Sequence, residues 1–149
     1  MPILSISNTE VHIEKMLNPT FLQLSEKDDL TATKPIYLKG MIYPVDQWIC
    51  IQAEIHATLQ LPCATCNEPV SIDISLPKWT HQEERDSINH TCWDLSQPLR
   101  EAILVEVPFL AYCGNRTCHN RKEIEKFLHK TSQQNGHQPF ANLQISRTT

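Results

Sequence analysis

Residues 51–76 read IQAEIHATLQLPCATCNEPVSIDISL, and this stretch decides the fold. Ile51, Ala53, Ile55, Ala57, Leu59 and Leu61 are apolar, while Gln52, Glu54, His56, Thr58 and Gln60 between them are polar. A period of two puts the first set on one face of a β-strand and the second in water. Val70, Ile72, Ile74 and Leu76 repeat the pattern, with Ser71, Asp73 and Ser75 facing outward. Between the two runs lies Cys63-Ala64-Thr65-Cys66, so the cysteines sit at the tip of a hairpin.

Upstream, Ile36, Leu38 and Ile42 predict a third strand, broken at Gly40 and ended by Pro44. Three successive strands with one apolar face each form an antiparallel meander. Downstream of Trp79 the alternation stops, and His81 to His90 reads as a charged connection carrying Glu83, Glu84, Arg85 and Asp86. Asp94 then has the character of a helix N-cap, with Gln97 placed to complete a capping box. Leu95, Leu99, Ala102 and Ile103 follow at helical spacing up to the stop at Pro108. A second short helix is expected from Asn120, with Glu123 in its capping box and Ile124, Phe127 and Leu128 on one face. Helices this short are marginal alone in water, so they must lay their apolar stripes on the sheet. The expected fold is α+β: a small antiparallel meander with two helices packed mainly on one face. Residues 1–130 form one domain in this reading, and 131–149 form a flexible tail in which Phe140, Ala141 and Leu143 make a small apolar cluster.

The chain has 149 residues and six cysteines. No apolar run approaches the roughly 20 residues that cross a bilayer. Met1 to Thr9 places no positive charge ahead of its apolar residues, as a secretory signal would. The expected location is the cytoplasm, where thiols stay reduced and cysteines serve as metal ligands or packed side chains. The net charge of -4 hides an asymmetry. Met1 to Tyr112 carries 7 Lys and Arg against 15 Asp and Glu, and Cys113 to Thr149 carries 6 against 2. An acidic body and a basic end can meet different partners, although a solvated surface explains the same counts.

A redox CxxC belongs at a helix N-terminus, where free amides and the macrodipole favour a thiolate. Here a strand enters and a strand leaves, which is the geometry of a zinc knuckle. A structural zinc takes four ligands, and Cys113 and Cys118 supply the second pair. Gly114 and Asn115, which tolerate positive φ, let the loop between them turn back. The expected centre is therefore one structural zinc on Cys63, Cys66, Cys113 and Cys118, pinning the helical part to the hairpin. Cys50 and Cys92 read as packed thiols; His119 could replace one sulfur, although a single histidine beside a cysteine is more often a surface side chain, and six buried or idle thiols remain the plain alternative.

Catalytic motifs are absent from the sequence: there is no HExxH, no GxSxG, and only 3 glycines with which to build a phosphate loop. A zinc held by four thiolates leaves no position for water. No enzyme activity, no membrane association and no small-molecule substrate are expected. Arg116, Arg121, Lys122, Lys126 and Lys130 lie on and beside the second predicted helix, where they are candidates for weak contact with phosphates, diluted by Glu123 and Glu125.

Residues 55–74, IHATLQLPCATCNEPVSIDI, resemble the hairpin of the YceD family, the large ribosomal RNA subunit accumulation proteins. Residues 93–113, WDLSQPLREAILVEVPFLAYC, resemble the family's Asp-Leu entry into a helix that ends near a cysteine. QPFANL, residues 138–143, is similar to its short C-terminal mark, whereas the first 34 residues resemble it only loosely. Many metal-type members carry a denser string of cysteines than Cys113 and Cys118. The resemblance implies a ribosome-biogenesis role in accumulation or processing of large-subunit ribosomal RNA, with precursor rRNA or large-subunit ribosomal proteins as partners. Two other readings stay open. One is a zinc-stabilised interaction module unrelated to ribosomes; the other is a CxxC redox protein, which requires a low-pKa thiol at Cys63.

Overall fold

The computed structural model describes residues 2–5, 9–25, 29–88, 92–114 and 117–128. Within them the chain runs through β1 (Ile3–Ser5), β2 (Val11–Leu17), β3 (Ile36–Val45), β4 (Trp48–Pro62), β5 (Pro69–Glu84), β6 (Cys92–Asp94), α1 (Ser96–Val105) and α2 (Arg121–Leu128). Strands β2-β3-β4-β5 form an antiparallel meander, and β1 pairs antiparallel with β6 in a second, two-stranded sheet. The α+β class and the meander thus match the alternation in the sequence, with β2 added as a fourth strand.

The period of two sorts the faces as its chemistry demands. Ile51, Ala53, Ile55, Ala57 and Leu59 of β4 are buried, while Gln52, Glu54 and His56 are exposed. Gly40 does not break its strand. It sits opposite Ala53, and a Cβ there would lie 2.1 Å from the Gln52 carbonyl oxygen, so only glycine lets β3 and β4 approach. Nor does Pro44 end β3: it pairs with Ile49, and the strand turns two residues later at Asp46, in the left-handed region at φ 52°.

The loss of alternation beyond Trp79 has a mechanical cause. Ile55 pairs with Leu76 but Ala53 pairs with Trp79, so Pro77 and Lys78 together face Glu54 in a β-bulge. Proline is tolerated there because a bulge leaves a residue unpaired. The extra residue inverts the parity: Val70, Ile72, Ile74 and Leu76 face the core before it, and Trp79, His81 and Glu83 after it. Residues 81–84 are therefore strand, correcting the expected connection. His81 stacks between Trp79 and Trp93, with ring centroids 5.9 and 5.8 Å apart. The buried Trp93 indole donates from Nε1 to Glu83 Oε2 at 2.6 Å, which satisfies its one polar atom.

Helix α1 buries Leu99 and Ile103, preceded by the buried Leu95. Asp94 Oδ1 accepts from the Ser96 amide at 2.9 Å, but Gln97 donates to Glu101 instead of returning to Asp94, so the expected capping box does not close. The helix packs on β5 and on a 3-10 turn at Pro19–Leu22, whose Leu22 carbonyl accepts from Arg100 Nε at 2.7 Å. Leu4, Ile13, Leu17, Phe21 and Leu22 bring the first 34 residues into the core. Helix α2 has no comparable contact with a strand; Arg121, Lys122, Glu123 and Lys126 are exposed, and Ile124 and Glu125 are half-buried. The expected tail 131–149, with Phe140, Ala141 and Leu143, lies outside the described residues, as do Arg116 and Lys130.

Candidate metal centre

The tip of the β4–β5 hairpin is a tight backbone structure. The Cys63 amide donates to the Glu68 carbonyl at 2.7 Å, and the Asn67 amide donates to the Cys63 carbonyl at 2.9 Å. Asn67 adopts φ 63°, a left-handed conformation that asparagine accepts more readily than most residues. This turn directs the Cys63 and Cys66 side chains toward the segment that follows α1. That segment is held alongside: Ala111 forms a parallel bridge with Cys63, and its carbonyl accepts from the Ala64 amide at 2.8 Å. Cys113 follows two residues later. Gly114 then lets the chain turn back, because a Cβ there would meet the Thr117 carbonyl oxygen at 2.5 Å. Its role is space and not positive φ, which it does not adopt. Cys118 sits just ahead of α2, with the Asn120 amide donating to its sulfur at 3.3 Å and the Arg121 amide to its carbonyl at 3.2 Å.

All four sulfurs lie within 4.8 Å of one another. Cys66 Sγ is 3.8 Å from Cys113 Sγ, which is 3.5 Å from Cys118 Sγ. Four sulfurs at about 2.3 Å from a shared tetrahedral ion are separated from one another by about 3.8 Å. The spacing therefore fits a metal and is far beyond the roughly 2.05 Å of a disulfide. Cys63 and Cys118 are buried, and Cys66 and Cys113 half-buried. His119 Nδ1 approaches Cys113 Sγ at 3.7 Å, so His119 sits beside the cluster and not within it. Cys50 and Cys92 take no part.

The thiols are tuned against one another. The amide of Cys66, and with it those of Thr65 and Cys113, holds Cys63 down at about 6 despite burial. The Glu68 amide pulls Cys66 the same way, but burial and the thiols of Cys118, Cys63 and Cys113 outweigh it and raise Cys66 to about 12. Burial likewise raises Cys118. A thiolate held by backbone amides suits a metal ligand, yet a low Cys63 is also what the redox reading requires. The number of sulfurs separates the two readings, since a dithiol couple has no use for Cys113 and Cys118.

Of the residues expected to meet phosphates, Arg121, Lys122 and Lys126 are exposed on α2, and Arg121 Nε is paired with Glu125 at 3.1 Å. No helix among the described residues is long and apolar enough to cross a membrane. Two features escaped the sequence. The Trp79–His81–Trp93 stack depends on the bulge, for which Pro77 was the available signal. The exposed Phe109 and Leu110 lie past the helix stop at Pro108, where the sequence pattern assigns them no role.

The fold and the site define an α+β domain whose C-terminal segment meets its hairpin at four thiols able to hold one metal ion. Comparison with protein-family models, with curated proteins and with solved structures finds no match for the chain.

Proposed function

We propose that this protein is a non-enzymatic, zinc-stapled ribosome-biogenesis factor that supports accumulation or processing of large-subunit ribosomal RNA. The observation that carries the metal part is the convergence of Cys63 and Cys66 with Cys113 and Cys118, two pairs far apart in sequence, within 4.8 Å. Zinc is the metal that a closed set of four thiolates favours, and such a set leaves no coordination position for a substrate or a reactive water. The ribosomal part is supported by likeness: residues 55–74 and 93–113, which resemble the YceD family, are the hairpin and the helical segment that meet at the four thiols. The acidic body suits a basic ribosomal protein, while Arg121, Lys122 and Lys126 suit a weak, salt-sensitive RNA contact.

The test has two arms. Purified protein is expected to carry one equivalent of zinc, lost in Cys63→Ser and in Cys113→Ser alike. In cell extracts it is expected to sediment with large-subunit precursors, and its deletion to deplete mature large-subunit rRNA. Zinc without co-sedimentation would leave the second reading, a zinc-stabilised interaction module unrelated to ribosomes. Full metal retention in both variants would remove the centre itself.

A further inference from the structure

The end of α1 and the stretch from it to the second cysteine pair carry an unusual surface. Val105 is 79% exposed, Leu110 61% and Phe109 103%. Single exposed apolar side chains are ordinary, but three within six residues, two of them in one groove wall, present apolar surface that water penalises unless something covers it. The segment is held in place, since Ala111 bridges Cys63 and Cys113 belongs to the sulfur cluster. Between it and the hairpin tip runs a groove with Leu61, Pro62, Phe109 and Leu110 in its walls.

Among the described residues, the charges on the groove and within four residues along the chain of Asn67, Val105 and Phe109 are all acidic. Among the described residues Asp29 is the only charged one lining it, and none of them pairs with its carboxylate. Glu106 follows Val105, Glu101 lies one helical turn before it, and Glu68 stands at the hairpin tip; all three are exposed. Glu101 is occupied only by the neutral amide of Gln97. Among the described residues no lysine or arginine lines the groove. Nucleic acid and an anionic membrane surface would bring negative charge to negative charge. The acidic body of a second copy, with 7 basic against 15 acidic residues up to Tyr112, would do the same.

We propose that the groove between residues 109–111 and the hairpin tip, extended by Val105, is a docking site for a cationic protein segment with an apolar anchor. The anchor covers Phe109 and Leu110 against Leu61 and Pro62. Lysine or arginine beside it pairs with Asp29, Glu101 and Glu106, and an arginine can also lie on the open face of Phe109. The proposal needs the chain's geometry alone and does not depend on the ribosomal reading.

The probe is the full chain with Phe109→p-benzoylphenylalanine, photocrosslinked in cells, with the attached peptide sequenced by mass spectrometry. Phe109 is fully exposed, so its replacement leaves the packing intact. The expected product is a peptide with several Lys or Arg within about four residues of an aromatic or large aliphatic side chain. Its yield should fall several-fold between about 0.05 and 0.5 M salt. It should fall similarly in a Glu101→Lys, Glu106→Lys background whose melting temperature is unchanged. Crosslinks to RNA, to lipid, to any part of this chain or to a peptide without such charge would overturn the proposal, as would no crosslink at all. A cationic peptide from a protein unconnected with ribosomes would uphold the docking site and count against the biogenesis role. Co-sedimentation with precursors alongside an RNA crosslink would do the reverse.

Discussion

Cys63 and Cys66 stand three residues apart and are driven in opposite directions. Cys63 is lowered from 9.0 to about 6, so folding favours its thiolate; that contribution is complete above pH 9 and fades as pH falls through 6. Cys66 is raised to about 12, so its contribution comes from the thiol, is complete below pH 9, and is lost as pH rises toward 12. In metal-stripped protein, thiolate absorbance should therefore show one step near pH 6, and Cys63→Ser should delete it. A first step near the ordinary cysteine value would mean that the hairpin-tip amides do not hold the Cys63 thiolate. Trp93 makes a second case at this scale. Trp93→Phe keeps the ring stacked on His81 but leaves Glu83 without its indole donor. The expected cost is about 1 kcal/mol, read as a fall in melting temperature of roughly 2–4 °C. A variant as stable as the parent would mean that water replaces the bond at no cost.

Among the elements, β4 organises the others. It pairs with β3 and β5, and its apolar face takes the load of the core from both sides. Because β3 lies against it without room for a methyl at residue 40, Gly40→Ala should force the strands apart. We expect a loss of about 2–3 kcal/mol, or roughly 5–10 °C in melting temperature. An unchanged melting temperature would show that β3 can shift at little cost. In α1, Leu99 is fully buried, and Leu99→Ala should cost about 2–5 kcal/mol by urea unfolding with an unaltered denaturant slope. The N-terminal residues matter for the same reason: β2 covers the outer edge of β3, and Leu22 accepts the Arg100 guanidinium against α1.

On the scale of the whole molecule, two separate devices hold the chain. One is the apolar core, which runs from Leu4 to Ile103 and contains none of the four clustered cysteines. The other is the sulfur cluster, which ties the residues after α1 to the hairpin tip. Metal removal should accordingly loosen the second and spare the first. After chelation, hydrogen exchange is expected to accelerate across residues 109–128 while β4 amides at 49–59 keep their protection. Loss of protection in β4 as well would show that the two devices are one cooperative unit.

The sequence by itself determined what short-range periodicity and chemical type can encode. The hydrophobic alternation of 51–61 and 70–76 fixed two strands and their inner faces, and the helical spacing of Leu95, Leu99 and Ile103 fixed the stripe of α1. The paired cysteines marked the candidate ligands, because few other residue types bind a metal so readily at that spacing. Tertiary structure decided the rest. Pro77 and Lys78 share one partner only because β4 and β5 must stay paired past an extra residue, and the parity change hid residues 81–84 from any fixed period. Strand β1 is short, and the partners of β1 and β2 lie 19 to 91 residues away in sequence, so no local pattern announces them. The approach of Cys113 and Cys118 to Cys63 and Cys66 likewise rests on a backbone bridge at Ala111, a contact that exists only once sheet and helix have packed.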